Sequence, residues 1–313
     1  MVQKSIWLLI LSFLLVACAA PAALEPTSAS AVAPVTVTDG LNRSVTLAAG
    51  AAQRVVSLAP SNTEILFAVG AGSQLVGLDE FSHHPAEALV LRAVGGSMGN
   101  YNAEAIVSLK PDLVLAAEIN PPELVENLAG LGLTVYFLPN PTDIEGVYAN
   151  LLTVAQLTGH TAEAETLVAS LRQRVQAVQD KIAPLSYAPV VFYELDATDP
   201  NAPYTTGPGT FMHLLIGMAG GINAASGAPS AWAQFSSEEL LVQNPQVILL
   251  GDAAYGVTVE AVQSRPGWEA LDAVQNRRVY PFNDDLVSRP GPRLVDGLEE
   301  LARLLHPEVF ESQ

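Results

Sequence analysis

Asn102-Ala-Glu104-Ala-Ile-Val-Ser-Leu-Lys-Pro111-Asp-Leu-Val-Leu115 decides how this chain is read, because a second stretch repeats its grammar. Ser236-Ser-Glu238-Glu-Leu-Leu-Val-Gln-Asn-Pro245-Gln-Val-Ile-Leu249 carries the same signals. Each has a polar helix cap, a Glu in the first turn, a short apolar helix, a Pro stop and a buried strand. The Glu-to-Pro spacing is the same in both. One such unit per half implies two similar α/β lobes, each presenting one Glu at an equivalent place. A first-turn Glu gains about 0.3–1 kcal/mol from the helix dipole in any case. The capping-box position, however, falls to Glu239 in the second copy and Ala105 in the first. The copies therefore share the Glu that the cap does not need.

Working outward, the first lobe opens with a hairpin signal around Asp39-Gly40 in residues 34–47. Strands are expected at 54–58, 75–78, 113–116 and 134–137, and helices at 63–69 and 122–131. Two stacked helical patterns follow, 143–157 and 161–182, broken at Thr158-Gly159-His160. The second lobe has strands at 189–193, 247–250 and 278–282, and helices at 211–219, 267–274 and 289–305. Strands alternating with helices over short links predict mainly parallel sheets covered on both faces.

The chain has 313 residues and a formal charge of −18. So acidic a surface argues against nucleic acid, whose phosphates need Lys and Arg. Lys4, the apolar residues 6–16 and Leu15-Val16-Ala17-Cys18 read as a secretion signal over residues 1–17, too short for a membrane span. Cys18 is the only cysteine, which rules out an internal disulfide. Residues 18–33, rich in Ala, Pro, Ser and Thr, read as a flexible spacer. The remaining divisions are a first lobe at 34–142, a helical connector at 143–183 and a second lobe at 184–313.

No dinucleotide loop, Walker motif, Gly-x-Ser-x-Gly elbow or His-Glu-x-x-His helix is present, so neither nucleotide binding nor enzymatic activity is expected. Five scattered His disfavour a free-ion metal site. An axial ligand to a bound chelate needs only one group, for which His83, His84 and Tyr101 are candidates. Open α/β sheets bind ligands outside the carboxyl ends of their strands, which selects His84, Met98, Tyr101, Tyr204, Trp232 and Asp285. Aromatic faces and Met suit a broad, flat ligand.

Arg54-Val-Val-Ser-Leu-Ala-Pro-Ser-Asn-Thr-Glu-Ile-Leu-Phe-Ala-Val-Gly-Ala-Gly, Leu-Lys-Pro-Asp-Leu-Val and Arg289-Pro-Gly-Pro-Arg-Leu-Val-Asp-Gly-Leu resemble the periplasmic binding proteins of ABC importers, in the subclass that takes cobalamin, haem and ferric siderophores. The resemblance covers residues 35–307. It implies two Rossmann-like lobes joined by one long rigid α-helix, no cofactor, and a transported chelate, cobalamin first and haem or a ferric siderophore next. In the resembled cobalamin binders, Trp232 matches a cleft aromatic and Asp285 a ligand-contacting Asp, while Met98 and Tyr101 stand where another aromatic lies. Glu104 and Glu238 match the residues that dock into Arg pockets of the permease dimer, which works with its ATPase. Around Cys18 the sequence resembles a lipobox, implying cleavage before Cys18 and a lipid anchor on the outer face of the membrane. A monomer is expected. The competing classes are a secreted α/β hydrolytic enzyme and a surface sensor or adhesion module.

Overall fold

The computed structural model describes residues 33–310 apart from Ala49. The signal, most of the spacer and Cys18 lie outside the described residues. Strands β1 (Val35–Thr38) and β2 (Ser44–Leu47) pair antiparallel across the expected turn. Asp39 holds that turn by accepting from the backbone N–H groups of Leu41 (3.0 Å) and Arg43 (2.9 Å). A side chain on Gly40 would lie 2.8 Å from Pro139 Cα, so only glycine lets the hairpin dock there.

The first sheet uses β3 (Val55–Ser57), β4 (Leu75–Leu78), β5 (Leu113–Ala116) and β6 (Val135–Phe137). Between them run α1 (Pro60–Ala68), α2 (Ala103–Ser108) and α3 (Pro122–Gly130). The strands are parallel, in the order β4-β3-β5-β6. Helices α4 (Ile144–Thr158) and α5 (Thr161–Ile182) follow, separated by Gly159 at φ +83°.

The second sheet uses β7 (Val190–Glu194), β9 (Ile222–Asn223), β11 (Val247–Leu250) and β12 (Val279–Pro281), with α6 (Phe211–Met218), α7 (Ser237–Gln243), α8 (Val259–Gln263) and α9 (Asp272–Gln275). A separate antiparallel ribbon pairs β8 (Tyr204–Thr206) with β10 (Trp232–Gln234). The chain closes with α10 (Asp285–Ser288), α11 (Leu294–Leu305) and α12 (Pro307–Phe310). The parallel order is β9-β7-β11-β12. Counted within each lobe, both sheets run second, first, third, fourth strand. The sequence repeat is thus a repeat of topology.

The two quoted units share their local chemistry as well. The Asn102 side chain accepts from Ala105 N–H (2.8 Å), and the Ser236 side chain from Glu239 N–H (3.2 Å). Glu239 completes the capping box on Ser236 N–H (2.8 Å). Each unit then places a left-handed residue, Lys110 (φ +49°) or Asn244 (φ +41°), directly before its Pro.

Helix α5 has 22 residues, about 33 Å at 1.5 Å per residue. It buries Ala164, Val168, Leu171 and Val178 in a core that also holds Leu113 of the first sheet and Leu249 of the second. Arg174 ties it to α11 through Asp296 (2.6 Å) and Glu299 (2.7 Å). One continuous core and an ion-paired helix make a stiff joint between the lobes.

Some boundaries differ from expectation. Helix α1 starts at Pro60 rather than residue 63, because Pro at the first helical position needs no N–H partner and its φ is already helical. The last helix starts at Leu294 rather than Arg289, since Pro290 and Pro292 remove backbone donors from the intervening loop. The expected helix at 267–274 is a 3₁₀ turn, Trp268–Ala270, followed by α9.

Candidate ligand-binding cleft

A doubly wound sheet leaves a crevice where the strand order reverses. In the first sheet that point lies between β3 and β5. Ser61 and Asn62, just past β3, and Ala117 and Glu118, just past β5, line a cavity of about 580 Å³. Across from them stand Trp232, Tyr255, Asp285 and Arg289 of the second half. An adjoining cavity of about 430 Å³ shares Glu118, Trp232 and Asp284 and continues to Tyr193 and Thr206. A third, of about 480 Å³, sits at the reversal point of the second sheet. It touches the first cavity through Tyr255 and the second through Leu195.

The rim is aromatic. Trp232 is 59 % exposed on the two-stranded ribbon, opposite Thr206. Phe81 and Tyr255 are exposed as well. Large exposed rings around a concave surface mark a binding site.

Below the rim the cleft is acidic. Glu118, Asp196, Asp252, Asp284 and Asp285 line its three parts, and the single basic lining residue is Arg289. Arg289 is already neutralised, by Asp285 (2.8 Å) and Glu64 (3.3 Å). Glu64 is buried on α1 and accepts from Arg293 Nε (2.8 Å) and Nη2 (2.5 Å). A charge cluster thus joins α1 to the segment before α11 beneath the cleft floor. The Tyr193 hydroxyl donates to Asp284, and burial, then the Asp284 charge, holds that phenol well above its usual range. Burial, with Glu194 adding repulsion, pushes the Asp252 carboxyl up to about 6. Three buried polar atoms of lining residues have no protein partner: Asn62 Oδ1, Thr206 Oγ1 and Asp252 Oδ1. Such atoms cost about 1–3 kcal/mol each unless a ligand or water completes them.

Of the residues named from sequence, the structure brings Trp232 and Asp285 together in the main cavity. Tyr204 lies on the ribbon paired with Gln234, half exposed, outside the lining. Tyr101 donates to Leu58 O (2.8 Å) and accepts from Asn120 (2.8 Å), and burial raises its phenol to about 12. His83 is exposed, and His84 lines a different depression beside Arg174 and Arg293. Met98 is 94 % exposed at φ +52° in a turn. None of His83, His84, Met98 or Tyr101 lines the cleft. Glu104 and Glu238 are exposed, in the first turns of α2 and α7, with no hydrogen bond or ion pair among the described residues. No helix among the described residues is long and apolar enough to cross a membrane.

The sequence profile of the periplasmic binding protein family matches residues 55–286. The chain belongs to that family. It is 35% identical to an uncharacterized ABC transporter substrate-binding lipoprotein of Bacillus subtilis, over 99% of both chains. Its fold matches the crystal structure of a periplasmic vitamin B12 binding protein of Vibrio cholerae with a TM-score of 0.69 and 30% identity, covering 84% of this chain and 99% of that one. A periplasmic haem-binding protein from Roseiflexus sp. RS-1 gives 0.73 and 28%, covering 82% and 99%. This periplasmic binding protein is therefore a substrate-binding component of the ABC-transporter kind, not an enzyme.

Sequence reasoning missed Phe81, Glu118, Tyr255 and the Asp252 pocket. Glu118 and Tyr255 follow β5 and β11 closely, so the strand-end rule applied to every strand would have found them. Nothing in the sequence links Glu64 to Arg293, which meet only through the fold.

Proposed function

We propose that this binding protein captures a large, flat metal chelate in the cleft, with cobalamin as the first choice and haem or a ferric siderophore next, and hands it to an ABC permease dimer with its ATPase. The observation that carries this is the cleft itself: exposed Trp232, Phe81 and Tyr255 over an acidic floor whose one arginine is spent on Asp285 and Glu64. Aromatic rims suit macrocycle faces. Haem carries two carboxylates and would find no free cation among the lining residues, which favours a cargo with a neutral periphery. The relatives' names, a vitamin B12 binder and a haem binder among them, support a macrocyclic chelate as the cargo class.

Glu104 and Glu238 are the permease contacts in this reading. Each is an unpaired carboxylate at the start of a topologically equivalent helix, one per lobe. The lobes are residues 34–142 and 184–313, with 143–183 between them, and Cys18 carries the lipid that holds the protein outside the cell. Titration of the mature protein with cyanocobalamin, haemin and a ferric siderophore tests the cargo. If none binds tighter than roughly 10 μM, about −7 kcal/mol, the proposal fails.

A further inference from the structure

The reversal point of the second sheet, between β7 and β11, has a cavity of its own, of about 480 Å³. Asp252, two residues past β11, lines it and is 4 % exposed. Its Oδ2 accepts from Ala197 N–H (3.0 Å), which ties the segment after β7 to that after β11. Its Oδ1 has no partner. The nearby guanidinium of Arg265 is committed to Glu194 through Nη1 (2.5 Å) and Nη2 (2.9 Å), and it stacks on Trp268 at 4.5 Å. Glu194 is fully buried and takes both guanidinium nitrogens, so at Asp252 the repulsion from Glu194 outweighs the attraction of Arg265. A buried carboxylate with a free oxygen and only a distant guanidinium, itself paired with Glu194, is costly, and the fold's hydrogen bonds account only for Oδ2. Asp196 lies at the same pocket, exposed, with its Oδ1 held by Thr198 N–H and Oγ1 (both 2.7 Å).

The pocket adjoins the other two cavities of the cleft, sharing Tyr255 with one and Leu195 with the other. We propose that it is a recognition subsite in which Asp252 accepts a hydrogen bond from an N–H-bearing arm of the cargo, a carboxamide or a protonated amine, and which turns away arms that end in carboxylate. This rests on the chelate reading above. A carboxamide N–H₂ supplies the donor that Oδ1 lacks. A carboxylate arm would meet Asp196 and Asp252 with no free cation among the lining residues.

The test is a pair of titrations, of wild type and Asp252→Asn, with cyanocobalamin and with its monocarboxylic acid derivatives, in which one peripheral amide is hydrolysed. Asn keeps an oxygen for Ala197 N–H and puts N–H₂ where Oδ1 stood, a donor in place of an acceptor. Wild type is expected to prefer the all-amide form. Asp252→Asn is expected to bind cyanocobalamin about tenfold to a hundredfold more weakly, the worth of one charge-assisted bond, and to lose the preference against at least one acid form. Melting temperature checks folding and should not fall, because the variant removes a buried charge. Unchanged affinity in Asp252→Asn, or equal wild-type affinity for every acid form, overturns the inference alone. Failure of wild type to bind any chelate overturns the cargo reading and this inference with it.

Discussion

Glu64→Gln should cost far more than its location outside any active chemistry suggests. The carboxylate is 1 % exposed, and it serves Arg293 in a two-bond fork and Arg289 at 3.3 Å. Gln keeps the shape and removes the charge. Two guanidiniums, 16 % and 14 % exposed, are then left with Asp285, which sits 2.8 Å from one and 3.9 Å from the other. Removing one member of a buried pair costs about 3–5 kcal/mol. Asp285 takes up part of the loss, so the lower end applies, about 3 kcal/mol, or about 5 °C of melting temperature for a chain of this size. Glu300→Gln is the control. It breaks a pair of ordinary length, Arg303 to Glu300 at 2.7 Å, but the two side chains are 49 % and 41 % exposed. Water already screens that pair, and the cost should stay under about 1 kcal/mol. Urea unfolding followed by circular dichroism measures both. Equal effects of the two substitutions would refute the argument that burial, not distance, sets the worth of these pairs.

Asp252→Asn should raise stability at pH 7.5. Burial pushes the folded carboxyl up to about 6 from its ordinary 3.8, so the folded state is favoured while Asp252 is protonated and loses that advantage as pH climbs from 3.8 to about 6. The gain in the variant, about 1–2 kcal/mol after allowance for water in the adjoining pocket, should vanish below about pH 4 in denaturation curves. Glu104→Ala combined with Glu238→Ala should leave chelate affinity unaltered and lower stability only by the two first-turn dipole interactions, about 0.3–1 kcal/mol each, while abolishing uptake in cells. Wild-type uptake by that double variant would remove the docking role.

The repeated unit was legible because it rests on local chemistry: a cap, a first-turn Glu, an apolar turn and a Pro stop, all within fourteen residues. The hairpin, the four strands of the first sheet, three of the four in the second and the stacked helices α4 and α5 were legible for the same reason, whereas β9 and the β8–β10 ribbon, two or three residues per strand, were not. Boundaries moved where prolines act in opposite ways. Pro60 begins a helix, whereas Pro290 and Pro292 delay one. The site was legible only in part. Trp232 and Asp285 reach the main cavity, but Tyr101, an aromatic on an equally plausible loop, turns its hydroxyl to Leu58 and Asn120. Strand ends tell which loops flank a crevice, not which way each side chain faces. The pairings that set the cleft's charge, Glu64 with Arg293 and Glu194 with Arg265, join residues 229 and 71 positions apart. No local pattern connects them.

In the proposed function the cargo lies against Trp232 in the cleft. Isothermal titration of the mature protein and of Trp232→Ala with cyanocobalamin tests it most directly. Trp232 is largely exposed, so its truncation should barely move the melting temperature. The prediction is one site per chain, tighter than roughly 10 μM in wild type and weakened by about tenfold or more in Trp232→Ala. Identical affinity in the two proteins, or no saturable heat in wild type, would contradict it.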